Sequence, residues 1–375
     1  MMSMYSFGND LYSGRRSFSV IGKRRIWFSI AAVAILISLC SFALKSPNLG
    51  IEFRGGSQFT VSNTAITSHD GAYDVIKQVG KDDAPRVSSV GSDGVRVQTM
   101  RLDDQQTQQV KASLAKAYEV PEKDVASTYI GPSWGQDILS KAIRAMIVFL
   151  ALVSIVMIIY FRSWTIAVGA IGALLHDFIV TLGVYWILGL EITPATIIGI
   201  LTILGYSLYD TVVVFDKVRE NTEKLRAQSA YTFEESANLA INQTLIRSLN
   251  TSFTGLLPVM SVLFIGVWIF GADTLRDLAL VMFVGMILST LSSIFLAAPL
   301  AVTLGMRNKE IQAHTNKVYQ LREDAQKLES GVEMDESTRE AMESDMLAHA
   351  GIEDRVAGGH RGQRAQPKRK KRNKK

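Results

Sequence analysis

Ionisable residues inside long apolar runs are the parts of this sequence with chemistry to offer, and three places hold them. Asp210 lies in a run that ends only at Phe215, with Val212, Val213 and Val214 between. Arg247 opens a later run, and Asn250, Thr251, Thr254 and Pro258 share its helical face. His176 and Asp177 sit near the middle of another, with Thr181 one turn beyond Asp177. A charge at the centre of a bilayer costs about 2.5–3.5 kcal/mol on insertion scales, so such residues face protein or water and serve a purpose. An aspartate and an arginine that can meet within a bundle are sufficient for a proton switch. A nearby cation favours the ionised carboxylate and desolvation favours the neutral one. Protonation frees the arginine, ionisation recaptures it, and alternating access to water loads and unloads the proton. One elementary charge crossing about 100 mV supplies roughly 2.3 kcal/mol, enough to bias a two-state rearrangement.

Each residue also has a plainer reading. Asp210 caps a polar edge near the end of its run, or it carries a proton. Arg247 snorkels to the interface, or it answers the aspartate. His176 and Asp177 titrate, or they form a hydrogen-bonded pair that fixes packing. Thr202, Tyr206 and Asp210 follow at i, i+4 and i+8 and so share a face, which makes Tyr206 and Thr251 candidate supports for the relay. Ser289 and Ser293 read as packing residues. So do Gly169, Gly172, Gly199 and Gly205, which let helices approach closely.

The elements that must position these residues are membrane helices. A hydrocarbon core of about 30 Å needs roughly 20 apolar residues. Six runs qualify, over residues 26–44, 143–161, 164–190, 192–215, 245–270 and 278–304. The chain of 375 residues is 48% hydrophobic and 20% charged, close to soluble averages, so the evidence for spans is the clustering of apolar residues rather than their total. The first run follows Lys23, Arg24 and Arg25 as a signal peptide would. It is too long for one and lacks a small-residue cleavage pattern, so it reads as an uncleaved anchor.

Lys and Arg give the orientation. Arg15, Arg16 and Lys23 to Arg25 precede the first span, Arg162 divides the second from the third, and Lys217, Arg219, Lys224 and Arg226 follow the fourth. Lys309 and a basic end follow the sixth. All lie on alternate sides of a six-span chain, which are one side, the cytoplasm by the positive-inside rule. Both termini (residues 1–25 and 305–375) and the 216–244 loop then face inward. Residues 45–142, the turn at Glu191 and the loop around Gly271 to Asp273 face outward.

Within the outer segment, Ser57–Val61, Arg86–Val90, Val95–Thr99 and Val125–Ile130 alternate as strands, with a turn at Gly91-Ser92-Asp93-Gly94. Gly71–Val79 and Asp104–Tyr118 carry helical spacing. The order β-α-β-β-α-β is that of a ferredoxin-like unit. The expected fold is therefore a polytopic α-helical membrane protein with a small ferredoxin-like α/β extracytoplasmic domain between helices 1 and 2. Gly55 and Gly56 form a tight turn just outside the membrane, structural or in contact with substrate. Cys40 is the single cysteine, which excludes an internal disulfide or a thiolate metal cluster. No nucleophile elbow or metal-ligand set is visible, so neither an enzyme nor a cofactor is expected, only protons as the coupling ion.

Four passages resemble the SecF branch of the SecD/SecF family. They are GIEFRGG (50–56), HDFIVTLG (176–183), ITPATIIGILTILGYSLYDTVVVFDKVREN (192–221) and NQTLIRSLNTS (242–252). The resemblance spans about residues 20–305 and also fits the span count, orientation and single outer domain. It implies a fold related to resistance-nodulation-division transporters, with SecD and SecF as pseudo-symmetric halves in the bacterial plasma membrane. It implies association with SecD, with the SecYEG channel and SecA in the export complex, and with translocating preproteins moved with the help of the proton motive force. The family's intramembrane aspartate falls on Asp210 and its arginine on Arg247, while a further aspartate resides in SecD. His176-Asp177 fits the family's HD pair without an assigned role.

The family core does not cover the tail. Lys309–Ser330 has helical spacing, Gly331–Ser344 is acidic, and Gly358–Lys375 ends in PKRKKRNKK, a composition that favours disorder. That basic end is a solvated charge run, a ligand for anionic lipids, or a contact for ribosomal RNA; no specific nucleic-acid partner is expected. Two rival functions stand beside the translocase reading: a proton-coupled half-transporter for a lipid or small molecule, and a scaffold that stabilises partners without using energy.

Overall fold

A computed structural model describes residues 9–80, 82, 85–91, 93–223, 225, 228–269 and 275–329. Ser92, Lys224, Arg226, Gly271, Asp273 and the tail from residue 330, including PKRKKRNKK, lie outside the described residues.

Six helices are long and apolar enough to cross a membrane. The spans are Arg24–Leu44, Pro132–Phe161, Trp164–Leu188, Pro194–Glu223, Phe233–Ser261 with a π-helical continuation to Ile269, and Arg276 to Gly305 with a π-helical stretch at Ser293–Ala297. Roughly half of the apolar window of the third, fourth and sixth spans is buried (56%, 44% and 50%), against 17%, 11% and 11% for the others. The three buried spans therefore form the centre, around Leu174, Ile203, Leu204, Phe215, Val281 and Ile294.

Four helices outrun the apolar windows that mark them in the sequence, because helices continue past the hydrocarbon wherever their polar ends are satisfied. The second starts at Pro132, whose ring suits a first helical turn. The fourth runs on to Glu223 and the sixth opens at Arg276. The fifth starts at Phe233 rather than 245, so much of the expected 216–244 loop is helix. A capping box fixes that start: Thr232 Oγ1 accepts from the Glu235 amide at 3.2 Å, and Glu235 accepts from the Thr232 amide at 2.9 Å. Asn238 and Asn242 on this polar extension grip the N-terminal arm, Asn242 Oδ1 accepting from the Phe18 amide at 2.7 Å and Asn238 Oδ1 from the Val20 amide at 2.9 Å.

Close approach is decided by small residues. Gly169 packs against Ala297 and Ala301, Gly172 against Leu300, and Gly199 against Val281 and Leu278. Gly183 leaves room for Ser38, which joins the first span to the third, a pair that no spacing rule singles out. Gly205 differs from the expectation. A Cβ there would meet nothing within 4 Å among the described residues.

The small domain between the first two spans is a four-stranded antiparallel sheet, β1 (Gly56–Val61), β2 (Arg86–Val90), β3 (Gly94–Thr99) and β4 (Val125–Ile130), in the order β2-β3-β1-β4. This is ferredoxin-like topology. Register pairs Phe59 with Val97 and Val61 with Val95, so one face is apolar and lies under the helices Asp70–Val75 and Asp104–Ala117 through Ile76, Val110 and Leu114. Gly55 and Gly56 have φ of 74° and 130°, and a Cβ on Gly56 would strike the Thr99 carbonyl oxygen. Only glycine fits there.

The other face of the sheet meets the membrane bundle. Arg96 of β3 pairs with Glu191, in the turn between the third and fourth spans, at 3.6 Å. The linker after the first span adds backbone bonds, Gly50 N–H to Ile192 O at 2.9 Å and Ile192 N–H to Asn48 O at 2.8 Å. Burial pushes the Glu191 carboxyl above the usual glutamate range; Arg96 opposes this, and Asp277 and Glu52 reinforce it.

Two predictions follow from these packings. Gly183→Val drives a side chain into Ser38 and lowers the melting temperature of the purified chain by several degrees, whereas Gly205→Leu leaves it within about a degree, since surface changes shift stability by only ~0.5 kcal/mol. A carboxyl whose pKa is raised on folding stabilises the fold at low pH and loses that contribution as pH rises from about 4.3, the ordinary glutamate value, through its raised one. Thermal unfolding as a function of pH therefore shows a decline across that window that Glu191→Gln flattens.

Candidate functional site

The fourth span carries the site. Its inward face runs through Ile203, Ser207, Asp210 and Val214, steps of three and four residues, and all four are buried. Asp210 is 6% exposed. Thr202 and Tyr206, which the i, i+4, i+8 spacing places on its face, instead lie exposed beside it. Asp210 thus sits at the edge of the inward face, with the polar stripe flanking it rather than covering it.

The partners of Asp210 come from the fifth span. Ser252 Oγ donates to Asp210 Oδ2 at 3.1 Å. Ser248, one turn earlier, is wholly buried and directed at the same carboxylate without reaching hydrogen-bond geometry. Arg247 acts on Asp210 through its charge, yet it is exposed and makes no ion pair among the described residues. Asn250 and Thr254 are exposed with it, and Thr251 is half-buried.

Fourth, fifth and sixth spans converge on a small cavity at Asp210. Hydroxyls line it: Tyr206 and Tyr209 from the fourth, Thr251 and Ser252 from the fifth, Ser289 and Thr290 from the sixth. Ser289, expected only to pack, is 4% exposed and forms part of this wall. A carboxylate surrounded by hydroxyls that both donate and accept has partners in either protonation state. Among the described residues Ser252 is the hydroxyl hydrogen-bonded to the carboxylate, and the others stand in the cavity wall.

A second buried carboxylate lies on the other side of the fourth span. Asp177 of the third span is 1% exposed, accepts from Ser207 Oγ at 2.8 Å and lies 3.2 Å from His176 Nδ1. Ser207 precedes Asp210 by less than one turn, so the fourth span carries one buried carboxylate contact toward each neighbour.

Ser207, Ser248 and Ser252 escape a reading of the sequence because serine is common in membrane helices and nothing in its spacing separates a ligand of a carboxylate from a packing residue. The one usable sign is the i, i+4 repeat of Ser248 and Ser252 one step behind Arg247 and Thr251.

Away from the bundle, Gly55 and Gly56 edge a cleft of about 450 Å³ with Arg54, Asp82, Arg86 and Arg101. Asp82 accepts there from Thr99 Oγ1 at 2.8 Å and the Met100 amide at 3.0 Å, closing the end of β3.

Comparison with known proteins agrees in sequence and in fold. A family model described as protein export membrane protein SecD/SecF, C-terminal, matches residues 109–307, and one for the SecD/SecF GG motif matches residues 41–62, around Gly55-Gly56. The chain is 37% identical to protein translocase subunit SecF of Streptomyces coelicolor over 99% of this chain and 100% of that one. It is 38% identical to the SecF of Mycobacterium tuberculosis over 85% of this chain and 74% of that one. The crystal structure of SecDF, a translocon-associated membrane protein from Thermus thermophilus, superposes with a TM-score of 0.69 at 31% identity over 78% of this chain. The chain spans 39% of the length of that SecDF protein. By the extent of these matches and by its six spans with a small sheet domain after the first, the chain belongs to the SecD/SecF family of protein export membrane proteins.

Proposed function

We propose that this chain is one half of a SecDF-type unit that uses the proton motive force to promote passage of preproteins across the plasma membrane. The observation that carries this is Asp210: a buried carboxyl in a hydroxyl-lined cavity at the margin of a bundle, beside an arginine it does not contact. Asp210 holds the proton, Arg247 answers its charge, and Tyr206, Thr251 and Ser252 keep the carboxyl satisfied in both states. His176 and Asp177 tie the third span to the fourth and so transmit a shift of either. Protons are the coupling ion in this account.

The same face argues for the partner. Tyr206 and Asn250 are exposed polar groups on two membrane helices, beside Thr202 and Thr254, whose hydroxyls donate to the Ile198 and Asn250 carbonyls of their own helices, and an exposed phenol and amide are poorly accommodated by hydrocarbon. Another protein must cover them. In the SecDF relatives both halves lie in one chain, of which this one matches about two fifths, so a SecD-like half is the occupant. Association with SecYEG, SecA and translocating preproteins follows from the family. Inward-facing termini follow from the distribution of Lys and Arg.

The test is completion of preprotein translocation in vesicles holding the whole complex under an imposed proton gradient. Asp210→Asn and Arg247→Met are expected to behave as wild type does with an uncoupler. Variants that translocate normally and still respond to uncoupler would make both residues structural and favour the scaffold reading. Gly205→Leu, neutral for the isolated chain, is expected to reduce co-purification with the SecD-like half several-fold, because its side chain enters the face that half covers. Undiminished co-purification would place the contact elsewhere.

A further inference from the structure

Three arginines at the end of the bundle opposite the sheet domain converge on one cavity. Arg162 comes from the short connection between the second and third spans, Arg219 from the last turns of the fourth, and Arg307 from just beyond the sixth. The cavity measures about 540 Å³, within the size range of small-ligand sites. All three arginines are exposed, and none makes an ion pair or a side-chain hydrogen bond among the described residues. No carboxylate lines the cavity. Asp216, one turn before Arg219, is engaged by the Tyr160 hydroxyl at 3.0 Å.

Three like charges gathered without a counter-ion repel one another, and most other cations at this end are answered. Arg24 pairs with Glu234 at 2.6 Å, Arg322 with Glu235 at 2.7 Å, and Lys217 with Glu220 at 2.9 Å. The remaining walls indicate what supplies the missing charge. Phe161, Val218, Phe233 and Val302 form an apolar floor, and Ser163, Thr165 and Asn308 add hydrogen-bonding groups at the rim. Trp164 stands at the mouth, 65% exposed, the setting of an aromatic residue at a membrane–water interface. A cationic rim over an apolar floor at the level of the headgroups fits a ligand with an anionic head and a hydrocarbon body.

We propose that Arg162, Arg219 and Arg307 bind the phosphate headgroup of an anionic phospholipid from the leaflet at this end of the bundle. Arginine suits the task, since its planar fork meets phosphate oxygens in pairs. The bound lipid joins the ends of the second, fourth and sixth spans, which no protein contact among these three side chains does.

Native mass spectrometry of the full chain in detergent, titrated separately with phosphatidylglycerol, phosphatidylcholine and inorganic phosphate, tests it. One phosphatidylglycerol is expected to bind tightly, with phosphatidylcholine and free phosphate far weaker. The triple variant Arg162→Gln, Arg219→Gln, Arg307→Gln is expected to bind phosphatidylglycerol on the order of a hundredfold more weakly, from the contribution of each cation near an anionic surface. A control removes three exposed cations from the same end outside the cavity, Lys23→Gln, Arg25→Gln and Lys317→Gln, and is expected to retain the tight lipid. The triple Arg→Lys variant keeps charge and fold, loses the paired geometry, and gives intermediate affinity. Equal losses in the two Gln variants would reduce the effect to diffuse charge and overturn the site. Tight binding of free phosphate or of phosphatidylcholine would overturn the assignment to an anionic lipid, as would the absence of a tight phosphatidylglycerol in wild type.

Discussion

A carboxyl group inside a membrane helix has no water to fall back on, so the protein around it must satisfy it, and this bundle is organised around doing so twice. Asp177 receives Ser207 and His176; Asp210 receives Ser252. Both contacts run through the fourth span, which is why that helix is central and why the third and sixth spans bury it. The two carboxyls differ in one respect. Asp177 is closed off at 1% exposure, whereas Asp210 lies at the margin of the bundle against a cavity of hydroxyls. In the proposed function, the closed one fixes helix packing and the marginal one is where a partner and a proton would meet.

The same logic extends to both ends of the bundle. At one end the sheet domain is held by the Arg96–Glu191 pair and by backbone bonds from residues 48–50 to Ile192. A movement of the fourth span is thereby felt directly by the sheet, since Ile192 lies two residues before that helix begins. At the other end, Asn238 and Asn242 clamp the N-terminal arm to the extension of the fifth span, the helix that supplies Ser252 and Arg247. The fourth and fifth spans that meet at Asp210 are thus each anchored by hydrogen bonds at one end of the bundle.

Much of this was open to reading in the sequence, and the limits are physical. Apolar runs of about 20 residues reveal spans because hydrocarbon imposes that length, and alternation revealed β1 to β4 because one sheet face is buried. The helices extend past the apolar spans where polar turns continue beyond the hydrocarbon, as at Phe233 and Pro132, since no apolar periodicity marks those turns. Asp210 stood out by charge alone. Its serine ligands did not, because a serine that serves a carboxylate looks like any other. The face of Thr202 and Tyr206 was assigned to Asp210 by spacing, but a helix 100° per residue leaves the border between two faces undecided until neighbours are known. Gly205 has the small size of a packing residue yet meets nothing within 4 Å among the described residues; a single sequence does not separate contacts inside a chain from contacts to its partner.

In the proposed function the Asp210 carboxyl changes protonation as the complex works. Infrared difference spectroscopy of the reconstituted complex, comparing membranes at two pH values and with and without an imposed gradient, reads the carboxyl C=O stretch directly. A protonated-carboxyl band that responds to pH and gradient is expected, missing in Asp210→Asn, with the remaining carboxyl signals unchanged. A carboxyl at Asp210 that stays in one protonation state under every condition, or a responsive band that survives Asp210→Asn, would contradict it.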